Sequence, residues 1–204
     1  MVAFTSKVND VSRLILTDCD GVLLNWVKGF STFIEGKGHK CGVEDSDQYS
    51  LERRFGLTTD QVISHVNEFN ESDAIRSLEP YADSVEYVKK LSEQGFRFTV
   101  ISALTGNAKA RQNRWINLQS VFGDVFEDLI CLPIMTNKSV ALEPWKGTNH
   151  FWIEDHVEQA LAGLNQGLRP ILVSHPYNNG IDCPFYRTSY ENPWKDIYNQ
   201  ITTE

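Results

Sequence analysis

At 204 residues with 41% apolar content, the chain has room for one α/β core plus a small insertion, and excludes both a disordered protein and two large domains. Its formal net charge of −8 argues against a general nucleic-acid coat, which needs basic surface against many phosphates, although a small phosphorylated ligand remains compatible if a cation reverses the local field. Cys19, Cys41, Cys131 and Cys183 form no Cys-x-x-Cys pair, Met1 to Asn9 lacks the apolar centre of a signal peptide, and no run nears the ~20 apolar residues of a membrane span; a reducing, cytoplasmic setting without a membrane partner is expected.

Leu14 to Thr17 is a short apolar run of the kind that forms a strand buried on both faces, and Asp18, Asp20 and Gly21 follow it directly. Carboxylates at the carboxyl end of a central parallel strand sit where open α/β sheets bind ligands, and glycine lets the backbone turn and approach closely. The alternative is an ordinary turn, since Asp and Gly are common turn formers. Trp26, Val27, Phe30, Phe33 and Ile34 recur at helical spacing, with Gly36 and Gly38 as terminators. Gly42 to Ser50 reads as a polar loop. Thr58-Thr59-Asp60 can cap a second helix that buries Val62, Ile63 and Val66. No convincing strand falls in 25–79, so that stretch is expected to be a helical cap inserted into a core made of 1–24 and 80–204.

The core resumes at Pro80. Val85, Val88 and Leu91 mark a helix ended by Gly95, and Phe96 to Ile101 a second strand finishing at Ser102. Asn107 can cap a helix carrying Trp115, Leu118 and Val121, which ends at Phe122-Gly123. Lys109, Arg111 and Arg114 on it read as a solvated basic face, with attraction of an anionic substrate as the alternative. Leu129 to Leu132, Phe151 to Ile153 and Ile171 to Val173 are further strands, Val157 to Leu164 is a helix between the last two, and Asn192-Pro193 opens a terminal helix through Ile201. This alternation predicts a three-layer α/β/α architecture around a parallel sheet.

Four strand ends then carry or adjoin polar groups at one edge: Asp18 and Asp20, Ser102, Lys138, and Glu154-Asp155. The order and placement resemble the four motifs of the haloacid dehalogenase (HAD) superfamily, in which Asp-x-Asp-Gly is typical of phosphatases. The mechanism that this resemblance implies is one these residue types can supply. A phosphate monoester dianion repels an anionic nucleophile, so Asp18 can attack phosphorus only beside a cation. Mg2+, held by Asp18, the backbone carbonyl of Asp20 and Asp155, would supply it. Ser102 and Lys138 would bind phosphoryl oxygens as they gain charge. Asp20 would protonate the leaving alkoxide and then activate water against the aspartyl-phosphate.

Each assignment has a rival. Ser102 can end a strand by bonding local backbone. Lys146 also precedes the fourth strand, though Lys138 follows the third more closely. Glu154 can support the site without ligating a metal, His156 fits the start of a helix, and His150, Glu154 and His156 would share one strand face as a zinc alternative.

A narrower resemblance covers most of the chain after Glu79. The strand ending at Ser102, Arg114-Trp115-Ile116, Phe122-Gly123, and Asn137-Lys138-Ser139-Val140 ahead of Ile153-Glu154-Asp155-His156 are similar to 5'(3')-deoxyribonucleotidases, which also carry a small helical cap. Ala103 stands where that family commonly has a second hydroxyl residue, which bears on phosphate or substrate contacts. Leu142 to Asn149 looks like an insertion that would bring Trp145 near the pocket. Trp26 and Phe30, directly beyond the catalytic loop, are candidates to stack on a nucleobase, with a core role as the alternative. The resemblance implies a deoxyribonucleoside monophosphate as substrate and Mg2+ as cofactor, without extended nucleic acid; a homodimer is compatible with it. A sugar phosphate, a nucleic-acid terminus, or a catalytically idle binding domain are the competing readings.

Overall fold

The computed structural model describes residues 13–41, 50–81 and 83–203. Strand β1 (Leu14–Thr17) sets the layering, because its successive side chains point to opposite faces. Ile15 enters the larger apolar core and Leu16 the smaller one beyond the sheet. The same division runs across the neighbouring strands β2 (Arg97–Ala103) and β4 (Phe151–Glu154): Phe98, Val100 and Ile153 join Ile15, while Ile101 and Trp152 join Leu16. With β3 (Phe126–Leu132), β5 (Arg169–Leu172) and β6 (Tyr186–Arg187) they form a six-stranded sheet in the order β3-β2-β1-β4-β5-β6, with every pairing parallel. The chain runs outward from β1 in one direction and then from β4 in the other, so the crevice for ligands opens at the carboxyl ends of β1 and β4.

On the larger core lie α4 (Ser84–Glu93), α5 (Ala108–Phe122) and α8 (Pro193–Thr202), which contribute Val88, Leu91, Leu118, Trp194 and Ile197. The opposite layer holds α6 (Ser139–Leu142) and α7 (Val157–Asn165). Gly163 of α7 lies so close to Trp152 that a Cβ there would sit 2.3 Å from its ring, which brings α7 tight onto β4. The expected three-layer α/β/α fold is therefore observed.

Between β1 and α4 the described residues form α1 (Trp26–Glu35), α2 (Leu51–Phe55), α3 (Thr59–Glu71) and a 3-10 turn at Asp73–Ser77, with no extended strand. Phe30, Phe33, Phe55 and Phe69 meet at their centre, with ring centroids 5.1 to 5.7 Å apart in the Phe33–Phe69, Phe30–Phe69 and Phe30–Phe55 pairs. Thr58 caps α3 in a full capping box with Gln61. The root of the insertion is tied where Leu24 bridges Pro80. Most of the polar loop expected at Gly42 to Ser50 lies outside the described residues.

Three differences from the sequence reading have physical reasons. Strand β3 begins at Phe126, before the expected Leu129, because the exposed Glu127 and Asp128 interrupt its apolar run. The two-residue β6 is too short to show alternation. Trp145 does not reach the pocket; it packs beside Leu16, Ile101 and Trp152 in the smaller core. None of the four cysteines forms a disulfide among the described residues, and no described helix is long and apolar enough to cross a membrane.

Candidate active site

The turn after β1 is built by its backbone. Cys19 carbonyl accepts from Leu23 and Leu24 amides at 2.8 and 2.9 Å, and Gly21 adopts φ +81°, where a side chain would be strained. Space also demands glycine there, since a Cβ would lie 2.3 Å from Asp155 Oδ2. This turn presents Asp18 and Asp20 in different directions.

Asp18 is buried and faces the neighbouring strand end. Its Oδ1 accepts from the Cys19 amide at 2.7 Å and from Lys138 Nζ at 2.8 Å. Lys138, immediately before α6, bridges on to Glu154 Oε2 at 2.8 Å, so one ammonium links the ends of β1 and β4. Its main-chain amide is fixed by Gln159 of α7 at 2.8 Å. Lys146, the rival lysine, is exposed. Glu154 has both oxygens engaged, because Oε1 accepts the Asp155 and His156 amides at 3.1 Å each. Ser102 reaches the same edge from β2; it is buried and its Oγ has no hydrogen-bond partner.

One carboxylate oxygen each from Asp18, Glu154 and Asp155 lie within 4.8 Å of one another. Three buried carboxylates face one ammonium, and the acids respond. Burial, then the Glu154 charge, pushes Asp18 up to about 8 despite Lys138. Burial, then the Asp18 charge, pushes Asp155 up to about 6, and Glu154 is raised chiefly by burial. Burial alone would discharge Lys138, but Asp18 and Glu154 hold its proton more firmly than usual. Such an all-oxygen, over-acidic cluster fits a hard divalent cation such as Mg2+. With Glu154 committed to Lys138 and two amides, Asp18 and Asp155 are the better ligands. Among the described residues this is the one such group, and His150 lies at the far end of β4 from Glu154, which removes the zinc alternative. His156 stands at the N-cap of α7.

Asp20 turns the other way. Both its oxygens are bound by the guanidinium of Arg114 on α5, whose Nη1 also lies 2.9 Å from Cys19 Sγ. With its carboxylate so engaged, any contact of Asp20 with a cation would come through its main-chain carbonyl. Arg114 is fully buried, which corrects the reading of Lys109, Arg111 and Arg114 as a solvated face. Arg111 does lie exposed, paired with Asp128 at 3.1 Å.

Above this edge is a cavity of about 490 Å³ between the sheet and the helical insertion, lined by Asp18, Asp20, Ser102, Ala103, Lys138 and Asp155 at its floor. Trp26, Val27, Val62, Ile63 and Val66 make an apolar wall on the insertion. The Trp26 indole N–H donates to Asn70 Oδ1 at 2.9 Å, and its ring stacks on Phe30 at 4.7 Å. Phe30 does not line the cavity. It is wholly buried behind Trp26, so the expectation that it touches substrate is corrected.

Sequence reasoning missed the turn after β5. Tyr177 lines the cavity and its hydroxyl donates to Asp155 Oδ2, while His175 Nε2 lies 2.7 Å from the Gly21 carbonyl. The only signal was local, in His175-Pro176-Tyr177-Asn178 directly after a strand end.

No family model matches the chain. An uncharacterized 32.4 kDa protein in the Gp30-rIII intergenic region of Enterobacteria phage T4 is 30% identical over 121 residues, 57% of this chain and 43% of that protein. The chain thus matches less than half the length of that relative. Among solved structures, a predicted phosphatase from Clostridium acetobutylicum superposes with TM-score 0.63 at 14% identity, covering 95% of this chain and 99% of that one. A predicted phosphoglycolate phosphatase from Haemophilus somnus gives 0.63 at 15% identity, covering 94% and 98%. D,D-heptose 1,7-bisphosphate phosphatase from B. bronchiseptica, complexed with magnesium and phosphate, gives 0.58 at 11% identity, covering 94% and 98%. The chain therefore shares the parallel α/β fold of these three phosphatase structures.

Proposed function

We propose that the protein is a magnesium-dependent phosphomonoesterase that hydrolyses nucleoside monophosphates as a 5'(3')-deoxyribonucleotidase, with 1–24 and 80–204 as catalytic core and 25–79 as cap. The observation that carries the reading is the floor of the cavity, where the partnerless Ser102 Oγ, the Lys138 ammonium and Asp18 share one edge. A buried hydroxyl without a partner costs free energy unless a ligand completes it, and a phosphoryl oxygen would.

Asp18 would attack phosphorus, displacing the substrate alkoxide, and carry the phosphoryl group as an aspartyl-phosphate, a mixed anhydride. Lys138 and Ser102 would hold the equatorial oxygens as their charge grows. Asp20 would give its proton to the leaving oxygen and later take one from the attacking water, exchanging its grip on Arg114 as it does so. A bound Mg2+, between Asp18, Asp155 and the Asp20 carbonyl, would offset the charge of the phosphate dianion and of the carboxylates. The structural neighbour that holds magnesium and phosphate supports this choice. Nucleotide preference is supported by the apolar wall with Trp26 at its edge, a surface that suits a flat base better than a sugar.

The test is a panel of deoxyribonucleoside monophosphates, sugar phosphates and an aryl phosphate, assayed for phosphate release with Mg2+ and then with chelator. Metal-dependent release, fastest from the nucleotides, is expected. Release from sugar phosphates alone would overturn the nucleotidase reading, and no release from any ester would favour an idle binding domain.

A further inference from the structure

The turn after β5 belongs to no strand end that supplies a reacting group, yet it touches the site twice. Tyr177 donates its hydroxyl proton to Asp155 Oδ2, and His175 Nε2 sits 2.7 Å from the Gly21 carbonyl, a contact that needs the Nε2–H tautomer. The two rings stack nearly parallel, with centroids 4.8 Å apart, and Tyr81 meets the open side of His175 edge-on at 5.3 Å. Asn178 completes the turn: its Nδ2 donates to the Asp155 carbonyl at 2.8 Å and to Val173 at 2.9 Å, and its Oδ1 accepts the His175 amide at 3.0 Å. Asp155 Oδ2 therefore sits at one corner with the Tyr177 hydroxyl and the side-chain-free face of Gly21, where a Cβ would lie 2.3 Å from that oxygen and 3.3 Å from the Tyr177 hydroxyl.

We propose that Tyr177 is a positioning residue for the cation site, fixing the Asp155 carboxylate in the direction that faces Asp18, while His175 holds the Gly21 peptide against it. The inference rests on the metal-dependent reading above and names a residue that the reading does not use. A carboxylate with one oxygen bound to a rigid donor has its other oxygen aimed in a single direction, so less ordering remains to be done when a cation binds. Partners of ligating groups act in this way generally, and their removal typically costs about 10–100-fold in metal affinity. The phenol is suited to the task, because stacking on His175 fixes the ring from behind.

The test is binding of Mn2+, followed by the electron paramagnetic resonance signal of the free ion, to the full chain without substrate. Wild type, Tyr177→Phe and Tyr190→Phe are compared; Tyr190 is 51% exposed and outside the cavity. Tyr177→Phe keeps the stacked ring and removes one oxygen, so Mn2+ affinity should fall about 10–100-fold while the metal-free Tm stays at the wild-type value. Tyr190→Phe should change neither. Equal Mn2+ affinity in Tyr177→Phe overturns the proposal, as does a wild type that binds no Mn2+. A loss of affinity matched by a comparable loss of metal-free Tm overturns it too, in favour of a merely structural role. Tight Mn2+ binding by a wild type that hydrolyses no phosphate ester would instead sink the phosphatase reading and leave this inference standing.

Discussion

Asp18 and Asp20 are two residues apart and meet opposite electrostatic surroundings, so neutralising each should have opposite consequences. Asp18 faces Glu154 and Asp155, and only Lys138 offsets their mutual repulsion. Asp18→Asn should therefore fold at least as stably as wild type without metal, while phosphate release falls by several orders of magnitude for want of a nucleophile. Asp20 is instead the counter-charge of a guanidinium with no exposure at all. Asp20→Asn should lose about 3 kcal/mol, the scale for leaving a buried charge unpaired, along with activity. Urea unfolding beside phosphate-release assays separates the two; a destabilised Asp18→Asn or an unperturbed Asp20→Asn contradicts this picture. The carboxylates, Ser102 and Lys138 were legible because each stands next to a strand end that apolar runs reveal. Arg114 was not, because charge on an amphipathic pattern reads as surface, and only the fold shows which acid lies opposite.

At the scale of elements, the insertion divides into a wall and a support. Trp26 faces the cavity, Phe30 lies wholly behind it, and Asn70 ties the indole to the core by donating to the Leu104 carbonyl at 3.0 Å, two residues beyond Ser102. Helical spacing finds α1 and α3 but gives the five-residue α2 no chance to show a period, and it cannot say which of two stacked aromatics meets solvent. That distinction decides the experiment. Trp26→Ala should lower kcat/KM for a deoxyribonucleotide by about 1–3 kcal/mol, the scale of base–aromatic stacking, with little effect on a sugar phosphate. Phe30→Ala should cost about 3–5 kcal/mol of folding stability and affect both substrates alike. Equal losses on both substrates in a folded Trp26→Ala protein would remove the base contact from the nucleotidase reading.

For the whole molecule, the charge gathered at the carboxyl edge of the sheet couples folding to pH and to metal. Asp18, with an ordinary value of 3.8, is pushed up to about 8, and Asp155 to about 6, with Glu154 raised as well. Between pH 4 and 8 the folded protein therefore holds protons that the unfolded chain has released. These carboxylates therefore lower stability as pH rises through this window, while His150 and His175, which burial holds below the ordinary histidine value, act in the opposite sense. A cation that binds the charged carboxylates acts in the opposite sense, adding about 2.7 kcal/mol at a hundredfold excess over Kd, and only where those groups have lost their protons. Thermal unfolding followed from pH 5 to 8.5 should give two curves, one in chelator that descends with pH and one in Mg2+ that stays high, meeting at the acid end. Asp18→Asn removes one of the strongly raised groups, so its chelator curve should be flatter than that of wild type. A wild-type chelator curve no steeper than that of Asp18→Asn would mean that the carboxylates do not repel one another across the site, and the cation site would lose its physical basis.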